Sequence, residues 1–360
     1  MQISKKVLFY AVFTVFCLII ALWGLSQTSA TGTPETTTTP PTDQASQTES
    51  TTSTEPPLPP EPKKICITGD NNLGTYTQDL HKGLKPYTYV MEDLEACDLL
   101  IGNLETNLSA PNTGAPQPGK SYTFKAPLEA LQWMSEVGVD AVSLANNHSM
   151  DFGSTALVEQ MQLLDDAGIV HFGGGKNMDE ALQPRYIEFE GIKIALISMN
   201  DIENWFTAAT SSSAGTATFD QARIIASLRA ARESADYVIV YPHWGEENTT
   251  VVNSRQRSWA RLFIDNGADL VVGSGPHVRQ ESEVYNGKQI FYSLGNFAVC
   301  GFYFVPEGST GTMLQLKVEN AQISAIEATE IKISFLGLPK LATKELTVPL
   351  YPNDEFKAAP

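Results

Sequence analysis

Short apolar runs alternate with amphipathic stretches over most of the chain. Six runs rich in valine, isoleucine and leucine show little alternation of apolar and polar positions, as expected of strands that are covered on both faces. They are residues 64–68, 98–101, 141–144, 192–198, 237–241 and 269–272. Helical spacing is found in residues 128–137, 154–167, 220–235 and 254–266. This order predicts an α/β domain with parallel strands joined by right-handed helical crossovers.

Two turn signals interrupt this alternation and predict hairpins. Glu190-Gly191 separates residues 185–189 from 192–198, and Asn286-Gly287 separates 282–285 from 289–293. An Asn-Gly pair is a strong signal for a two-residue hairpin turn. The pattern of residues 312–346 predicts mostly strand, which we expect to complete a second sheet. Residues 63–360 are predicted to form one large domain.

The amino-terminal pattern is different. Lys5 and Lys6 precede an uncharged run over residues 7–25, which as a helix would span about 28 Å, close to the thickness of a bilayer core. The two lysines predict a cytoplasmic amino end and an extracellular carboxyl-terminal domain, as in a single-pass protein of the cell membrane. A cleaved signal peptide is the alternative, since residues 28–30 fit a cleavage site. Residues 1–30 are therefore predicted to be a membrane anchor or signal segment.

Residues 31–62 consist almost entirely of threonine, serine, proline, glutamate and glutamine. Such a segment buries too little apolar surface to offset its chain entropy. Its prolines favour an extended chain. We therefore expect a disordered linker that holds the following domain away from the membrane.

Charge and cysteine content exclude two classes of function. The chain has 41 acidic residues against 24 lysines and arginines, a net charge of -17, which argues against nucleic acid as a partner. Four cysteines in 360 residues do not make a disulfide framework. None pairs with another at the spacing of a zinc ribbon, so a cysteine-ligated zinc site is not expected.

Polar residues directly follow five of the predicted strands. They are Asp70, then Asn103 and Glu105, then Asn146, Asn147 and His148, and finally His243 and His277. Each alone is also typical of a helix cap, a turn or a packed histidine. However, the carboxyl ends of parallel strands share one edge of a sheet, where ligands bind, so their joint occurrence favours a site.

These donors suggest a chemistry. Oxygen and imidazole ligands without thiolate suit a divalent ion such as Mn, Fe or Zn. Two ions about 3.5–4 Å apart would clamp a phosphate and activate a water molecule. A histidine just beyond the ligands would then protonate the leaving oxygen.

Long stretches of the sequence resemble the CapA family of capsule or poly-γ-glutamate synthesis proteins. They are DLLIGNLET, FKAPLEALQWMSEVGVDAVSLANNHSMDFG, YPHWGEE and LFIDNGADLVVGSGPHVRQESEVYNGKQIFYSLGNF, in this order, between about residues 65 and 297. The resemblance implies a four-layer α/β/β/α sandwich of the metallophosphatase (calcineurin-like) type. The anchor and linker also suit a protein of the cell surface.

The resemblance also implies roles for individual residues. His148 would be the general acid, and the metal ligands would be Asp70, Asn103, Glu105, Asn147, His243 and His277. Asn146, Lys125 and Arg279 are expected to contact the substrate. The family usually has His-Pro-His after the last core strand, whereas this chain has Gly275-Pro276-His277. Because glycine offers no side-chain ligand, the sequence leaves open whether one or two ions bind.

Two functions follow from the resemblance. The first is a metal-dependent hydrolase or transferase in the synthesis of an envelope polymer. The second is a non-catalytic accessory subunit that helps to assemble, export or retain poly-γ-glutamate. Either would act with membrane-embedded synthase or export subunits. A chain of charge -17 repels a polyanion, so a local basic patch is expected from Lys125, Arg255, Arg257 and Arg279.

Overall fold

The computed structural model describes residues 61–76, 81, 83–301 and 306–348. The predicted anchor and the predicted linker up to residue 60 lie outside these residues. Within the described ranges, no helix is both long enough and apolar enough to cross a bilayer.

The described residues form strands and helices in alternation. The strands are β1 (Lys63–Asn72), β2 (Leu99–Leu104), β3 (Asn107–Leu108), β4 (Lys125–Ala126), β5 (Val139–Ser143), β6 (Val170–Phe172), β7 (Gly174–Gly175), β8 (Arg185–Phe189), β9 (Ile192–Asn200), β10 (Gly215–Thr216), β11 (Tyr237–His243), β12 (Leu270–Val272), β13 (Ser282–Tyr285), β14 (Lys288–Phe291), β15 (Asn296–Val299), β16 (Thr310–Glu319), β17 (Gln322–Ile333) and β18 (Pro339–Val348). The α-helices are α1 (Met91–Glu95), α2 (Glu129–Glu136), α3 (Gly153–Asp166), α4 (Met178–Ala181), α5 (Asn204–Thr207), α6 (Gln221–Ser234) and α7 (Ser254–Asp265). All six predicted strands and all four predicted helices are present.

The first large sheet has the order β18-β17-β16-β1-β2-β5-β6, and β15 also pairs with β1. Strands β1, β2, β5 and β6 are parallel, whereas β16 runs antiparallel to β1. The expectation that the carboxyl-terminal strands complete a second sheet is therefore wrong. They extend the sheet of β1, because Leu314 and Leu316 pair with Ile67 and Ile65 and share their apolar core.

The second large sheet has the order β13-β14-β12-β11-β9-β8. Its four central strands are parallel, and both edges are antiparallel hairpins, as predicted. Glu190, Gly191, Asn286 and Gly287 all have φ between 47° and 81°, the left-handed conformation that a tight turn between twisted strands requires.

Three apolar cores separate four layers in the order helix, sheet, sheet, helix. Along β1, Ile65 and Ile67 face the second sheet, whereas Cys66 packs on the helical side. Along β11, Ile239 faces the first sheet, whereas Val238 packs against helices α6 and α7. Because both faces of these strands are buried, their sequences lack the alternation of a half-exposed strand. The mixed α/β fold and its four layers agree with the sequence-based expectation.

One disulfide joins β1 to the turn before β2. Cys66 and Cys97 are bonded, with their Cα atoms 5.8 Å apart and 31 positions apart in sequence. Nothing in the cysteine spacing predicted this pair. Disulfides persist mainly in oxidising compartments outside the cytoplasm.

The disulfide is expected to stabilise the fold substantially. Cross-linking a loop of this length should add about 3–4 kcal/mol to the free energy of unfolding. The Cys66→Ala/Cys97→Ala variant should lose that amount in urea denaturation, and the reduced wild-type protein should match it. Cys300→Ala, which leaves the bond intact, is the control. A loss below about 1 kcal/mol in the double variant would contradict the expectation.

Candidate metal centre

The strand ends that carry the predicted ligands meet at one edge of the sandwich, but they come from both sheets. Asp70, Asn103 and Asn147 belong to or follow strands of the first sheet, whereas His243 and His277 belong to or follow strands of the second. The sequence pattern alone suggests the edge of a single open sheet. Facing sheets achieve the same convergence because their parallel strands end on the same side.

Hydrogen bonds between the sheets fix this edge. The hydroxyl of Tyr241 donates to the carbonyl of Thr68, two residues before Asp70. The hydroxyls of Ser143 and Ser198 are 2.7 Å apart, and Ser198 donates to the carbonyl of Tyr241. The two sheets are thus connected directly beneath the predicted ligands.

Asp70, Glu105 and His277 form a buried cluster of potential ligands. One ligand atom from each lies within 4.8 Å of the others. Nδ1 of His277 is 3.3 Å from Oδ2 of Asp70, and Nε2 is 3.5 Å from Oε1 of Glu105. All three side chains are at most 6% exposed.

Glu105 has no hydrogen-bond partner among the described residues. Both of its carboxylate oxygens are buried without a donor. Burial raises the pKa of Glu105 well above its usual range, the nearby Asp70 raises it further, and His277 opposes both. A buried carboxylate without a donor is costly unless a cation neutralises it. The donor set and the two free oxygens therefore fit a divalent metal ion.

Asp70 and His277, the other two members of the cluster, shift each other's pKa. Burial alone would raise the pKa of Asp70, but the hydrogen bond and charge of His277 lower it overall. Burial alone would lower the pKa of His277, but Glu105 and Asp70 raise it to about 10. Glu247, on the exposed rim, also raises the pKa of Glu105 and of His277, so a further acidic group faces the centre.

A network of amides surrounds this cluster. Asn103 donates from Nδ2 to Oδ1 of Asp70 over 2.8 Å, and its Oδ1 accepts from Nδ2 of Asn146 over 3.0 Å. Oδ1 of Asn147 is 3.1 Å from Nε2 of His243, which is itself 3.6 Å from Oε1 of Glu105. The structure thus brings all six predicted ligands together, and Asn146 contacts one of them, Asn103.

His243 and His277 differ in charge because their surroundings differ. His243 is almost completely buried, and burial lowers its pKa to about 3, although Asp70 opposes this shift. Its Nδ1 is 2.9 Å from the hydroxyl of Ser274. Nδ1 of His277 is 2.9 Å from Oδ1 of Asn296. His243 is therefore uncharged and can offer a ring nitrogen to an ion, whereas His277 is positively charged when no ion is bound.

His148, the predicted general acid, lies beside the cluster. Its Nδ1 is 2.7 Å from Oδ2 of Asp151, and its backbone N–H donates to Oδ1 of Asn146 over 3.0 Å. The ring of Phe124 packs on it with centroids 4.7 Å apart. Burial is the largest influence on its pKa and lowers it, and Asp151 only partly offsets this.

Gly275 occupies the position where the resemblance leads one to expect a histidine. Its φ is +109°, and a Cβ atom there would lie 2.7 Å from the carbonyl oxygen of Trp244 and 3.1 Å from Ile202. Its backbone N–H points to Oδ2 of Asp70 at 3.3 Å. The local backbone is thus built for glycine and leaves no space for an imidazole.

Two of the predicted substrate contacts, Lys125 and Arg279, have local partners. The ammonium of Lys125 donates to the carbonyls of Ala110 and Thr113 and lies 4.2 Å from the ring centroid of Phe152. Arg279 forms an ion pair of 3.0 Å with Glu330. Local partners thus hold both cations, and their contact with a substrate stays a prediction.

Sequence reasoning assigned no role to three side chains that contact the site. Asp151 bonds to His148, Ser274 to His243 and Asn296 to His277. The spacing of three between His148 and Asp151 could have indicated their pairing. Ser274 and Asn296 carry no comparable signal, because only the fold brings them near the histidines.

Comparison with known proteins assigns the chain to a family. The profile described as bacterial capsule synthesis protein PGA_cap matches residues 64–300, so the chain belongs to this family. It is 31% identical over 235 residues to the PGA biosynthesis protein CapA of Bacillus subtilis, covering 64% of this chain and 62% of that protein. It is 28% identical over 247 residues to the capsule biosynthesis protein CapA of Bacillus anthracis, covering 66% and 60%. The chain thus spans about three fifths of the length of these relatives.

Among solved structures, the chain is similar to a 5'-nucleotidase from Candida albicans. The TM-score is 0.46 at 12% identity, covering 76% of this chain and 52% of that one. A phosphatase from Mycoplasma pneumoniae gives a TM-score of 0.43 at 13% identity, covering 80% and 93%.

Replacing Gly275 should be more damaging than replacing a glycine with similar torsion angles in open space. Gly301 has a φ of +105°, and a Cβ atom added there would meet no described residue within 4 Å, so it is a matched control. Gly275→Ala should lose about 1–3 kcal/mol more stability in urea denaturation than Gly301→Ala, because of steric overlap. Gly275→His should be at least as unstable. A stable histidine variant that binds an additional ion would contradict this account.

Ion binding should release at least one proton. The pKa of His277 is about 10 in the metal-free protein, and an imidazole must be neutral to coordinate a metal. The apparent affinity for Mn²⁺ should therefore rise between pH 6.5 and 8.5, by up to about tenfold per pH unit. Calorimetric titration in buffers of different ionisation enthalpy measures the protons released. His171→Asn, outside the cluster, should keep this dependence, and an affinity that is constant over the range would contradict it.

Proposed function

We propose that this chain is a divalent-metal protein that acts in the synthesis or export of a poly-γ-glutamate capsule. Membership of the capsule synthesis family supports the pathway. The observation that carries the proposed chemistry is the buried carboxylate of Glu105, which lacks a donor among the described residues and lies 3.5 Å from His277. The resemblance to metallophosphatases supports a phosphoester-hydrolase type of reaction.

Each side chain has a proposed role in that chemistry. Asp70, Glu105 and His277 would hold the ion, with His243 and Asn147 beside them, and the ion would supply Lewis-acid activation of a phosphoryl oxygen and its attacking water. His148 would hold a proton at Nε2 for the leaving oxygen while Nδ1 bonds to Asp151.

One specific observation favours a second function. Gly275 removes the imidazole that the family usually provides, and its surroundings leave no room for one. A centre with fewer ligands suits a non-catalytic accessory subunit, in which the ion holds an anionic polymer. Under either function, a bound cation would contact the polymer more directly than Lys125 or Arg279, whose charged groups have local partners.

We further propose that the domain works outside the cytoplasm, attached to the membrane by residues 7–25 and next to membrane-embedded synthase or export subunits. The apolar run with its preceding lysines supports the anchor. The Cys66–Cys97 disulfide supports an oxidising compartment.

Hydrolysis assays on variants separate the two functions. The full-length protein is loaded with Mn²⁺ and tested on bis(p-nitrophenyl) phosphate and p-nitrophenyl phosphate. For an enzyme, His148→Ala should retain the metal but lose about 10²–10⁴-fold in turnover, and Glu105→Gln should lose both metal and turnover. His171→Ala is the control. A wild-type protein that binds metal without hydrolysing either substrate would favour the accessory function.

A further inference from the structure

Lys120 has an unusual position for a lysine. It lies in the loop between β3 and β4, yet its side chain is only 5% exposed. Its ammonium donates to the carbonyl of Asn147 over 2.5 Å and to Oδ1 of Asp151 over 2.6 Å. Lysine is rarely buried unless its charge is paired, so these contacts determine where the side chain lies.

The same ammonium reaches the second sheet. Oε2 of Glu203 is 3.1 Å away, in an ion pair that lacks the alignment of a hydrogen bond. Glu203 follows β9 and has a φ of 52°, a left-handed conformation that is uncommon for a residue other than glycine. The ring centroid of Phe206, in the following helix α5, lies 4.9 Å from the ammonium. One charge therefore joins a loop to the ends of strands from both sheets.

Asp151 connects this loop to His148. Its Oδ2 accepts the backbone N–H of Phe124 over 2.7 Å and is 2.7 Å from Nδ1 of His148. Its Oδ1 accepts from Lys120, and its carbonyl accepts the backbone N–H of Gln117 over 2.8 Å. The carboxylate that orients the imidazole is thus the one that holds the loop.

Lys120 also lies directly beside the imidazole of His148. Its ammonium is 3.3 Å from Nδ1 of His148, and Oδ2 of Asp151 is 2.7 Å from the same nitrogen. Because the two oxygens of Asp151 contact Lys120 and Nδ1 of His148, the ring is held with Nε2 facing away from this carboxylate. Nε2 is then the ring atom that is available for a substrate.

We propose that Lys120 is a positioning residue, which holds residues 114–124 against Asn147 and Asp151, joins them to residues 201–207 after β9 of the second sheet, and through Asp151 orients the imidazole of His148. The importance of His148 for a substrate rests on the proposed function. The clasp itself, meaning Lys120 with Asp151 and Glu203, does not.

Hydrogen–deuterium exchange of the full-length protein tests the clasp. Lys120→Met should speed amide exchange at least tenfold in residues 114–124 and in residues 201–207. Lys125→Met, which removes the other lysine of the same region, should affect only residues 110–113, because its ammonium binds the carbonyls of Ala110 and Thr113. Unchanged exchange in residues 201–207 of Lys120→Met, or an equal effect of Lys125→Met there, would overturn the proposal.

Nitrogen-15 NMR of the His148 ring tests the second part. The ring shifts of His148 should change in Lys120→Met relative to the wild type, because the ring loses a charged neighbour 3.3 Å from Nδ1 and Asp151 loses a hydrogen bond, and Lys120→Arg should largely restore the wild-type shifts. Glu203→Gln, a change at a partly exposed side chain, should loosen residues 201–207 without altering the His148 signal. The Glu203→Gln variant therefore still tests the ion pair between Lys120 and Glu203 if Lys120→Met does not fold. A His148 signal that is the same in Lys120→Met and the wild type would overturn the positioning role.

These readouts need neither turnover nor metal. A protein without phosphoesterase activity in which Lys120→Met loosens both segments would retain the clasp and lose only the proposed function. An active protein in which Lys120→Met changes neither exchange nor the His148 signal would retain the proposed function and lose the clasp.

Discussion

The buried carboxylate of Glu105 is the constraint on which the rest of the site depends. Elsewhere at this edge, amides, hydroxyls and imidazoles are joined by hydrogen bonds, as in the contacts from Asn146 to Asn103 and from Asn103 to Asp70. Glu105 alone among the predicted ligands keeps both oxygens without a donor within the described residues. Folding brings this charge out of water, and that is unfavourable unless a cation compensates it. The polar side chains around Glu105 are therefore best explained as the residues that surround an ion site.

The identity of residue 275 determines what kind of ion site this is. A glycine with a φ of +109°, packed against Trp244, supplies a backbone N–H to Asp70 where the resemblance led us to expect an imidazole. The surrounding chain leaves no space for a larger residue, so the difference is more than the loss of one side chain. The cluster of Asp70, Glu105 and His277 would then hold one ion. Both proposed functions, catalytic and accessory, share that centre.

Sequence patterns predicted the elements of the fold well because strands buried on both faces leave a distinctive apolar run. The convergence of Asp70, Glu105 and His277 could be expected for the same reason, since strand ends are local features. Which strands pair is a long-range property, so the sheet that β16 to β18 join was predicted wrongly. The charge of Lys125 suggested a substrate contact, whereas its two carbonyl partners in the preceding loop could not be predicted from the sequence. Lys120 gave no signal because its partners are distant in sequence.

Metal content is the most direct test of a single-ion centre. The full-length protein, purified without chelator and equilibrated with Mn²⁺ or Zn²⁺, is measured by elemental analysis beside Glu105→Gln and His171→Asn. We predict one equivalent per chain in the wild type and in His171→Asn, and a large loss in Glu105→Gln. Two equivalents in the wild type would contradict the role assigned to Gly275. No bound metal, or full retention in Glu105→Gln, would contradict the ion site itself.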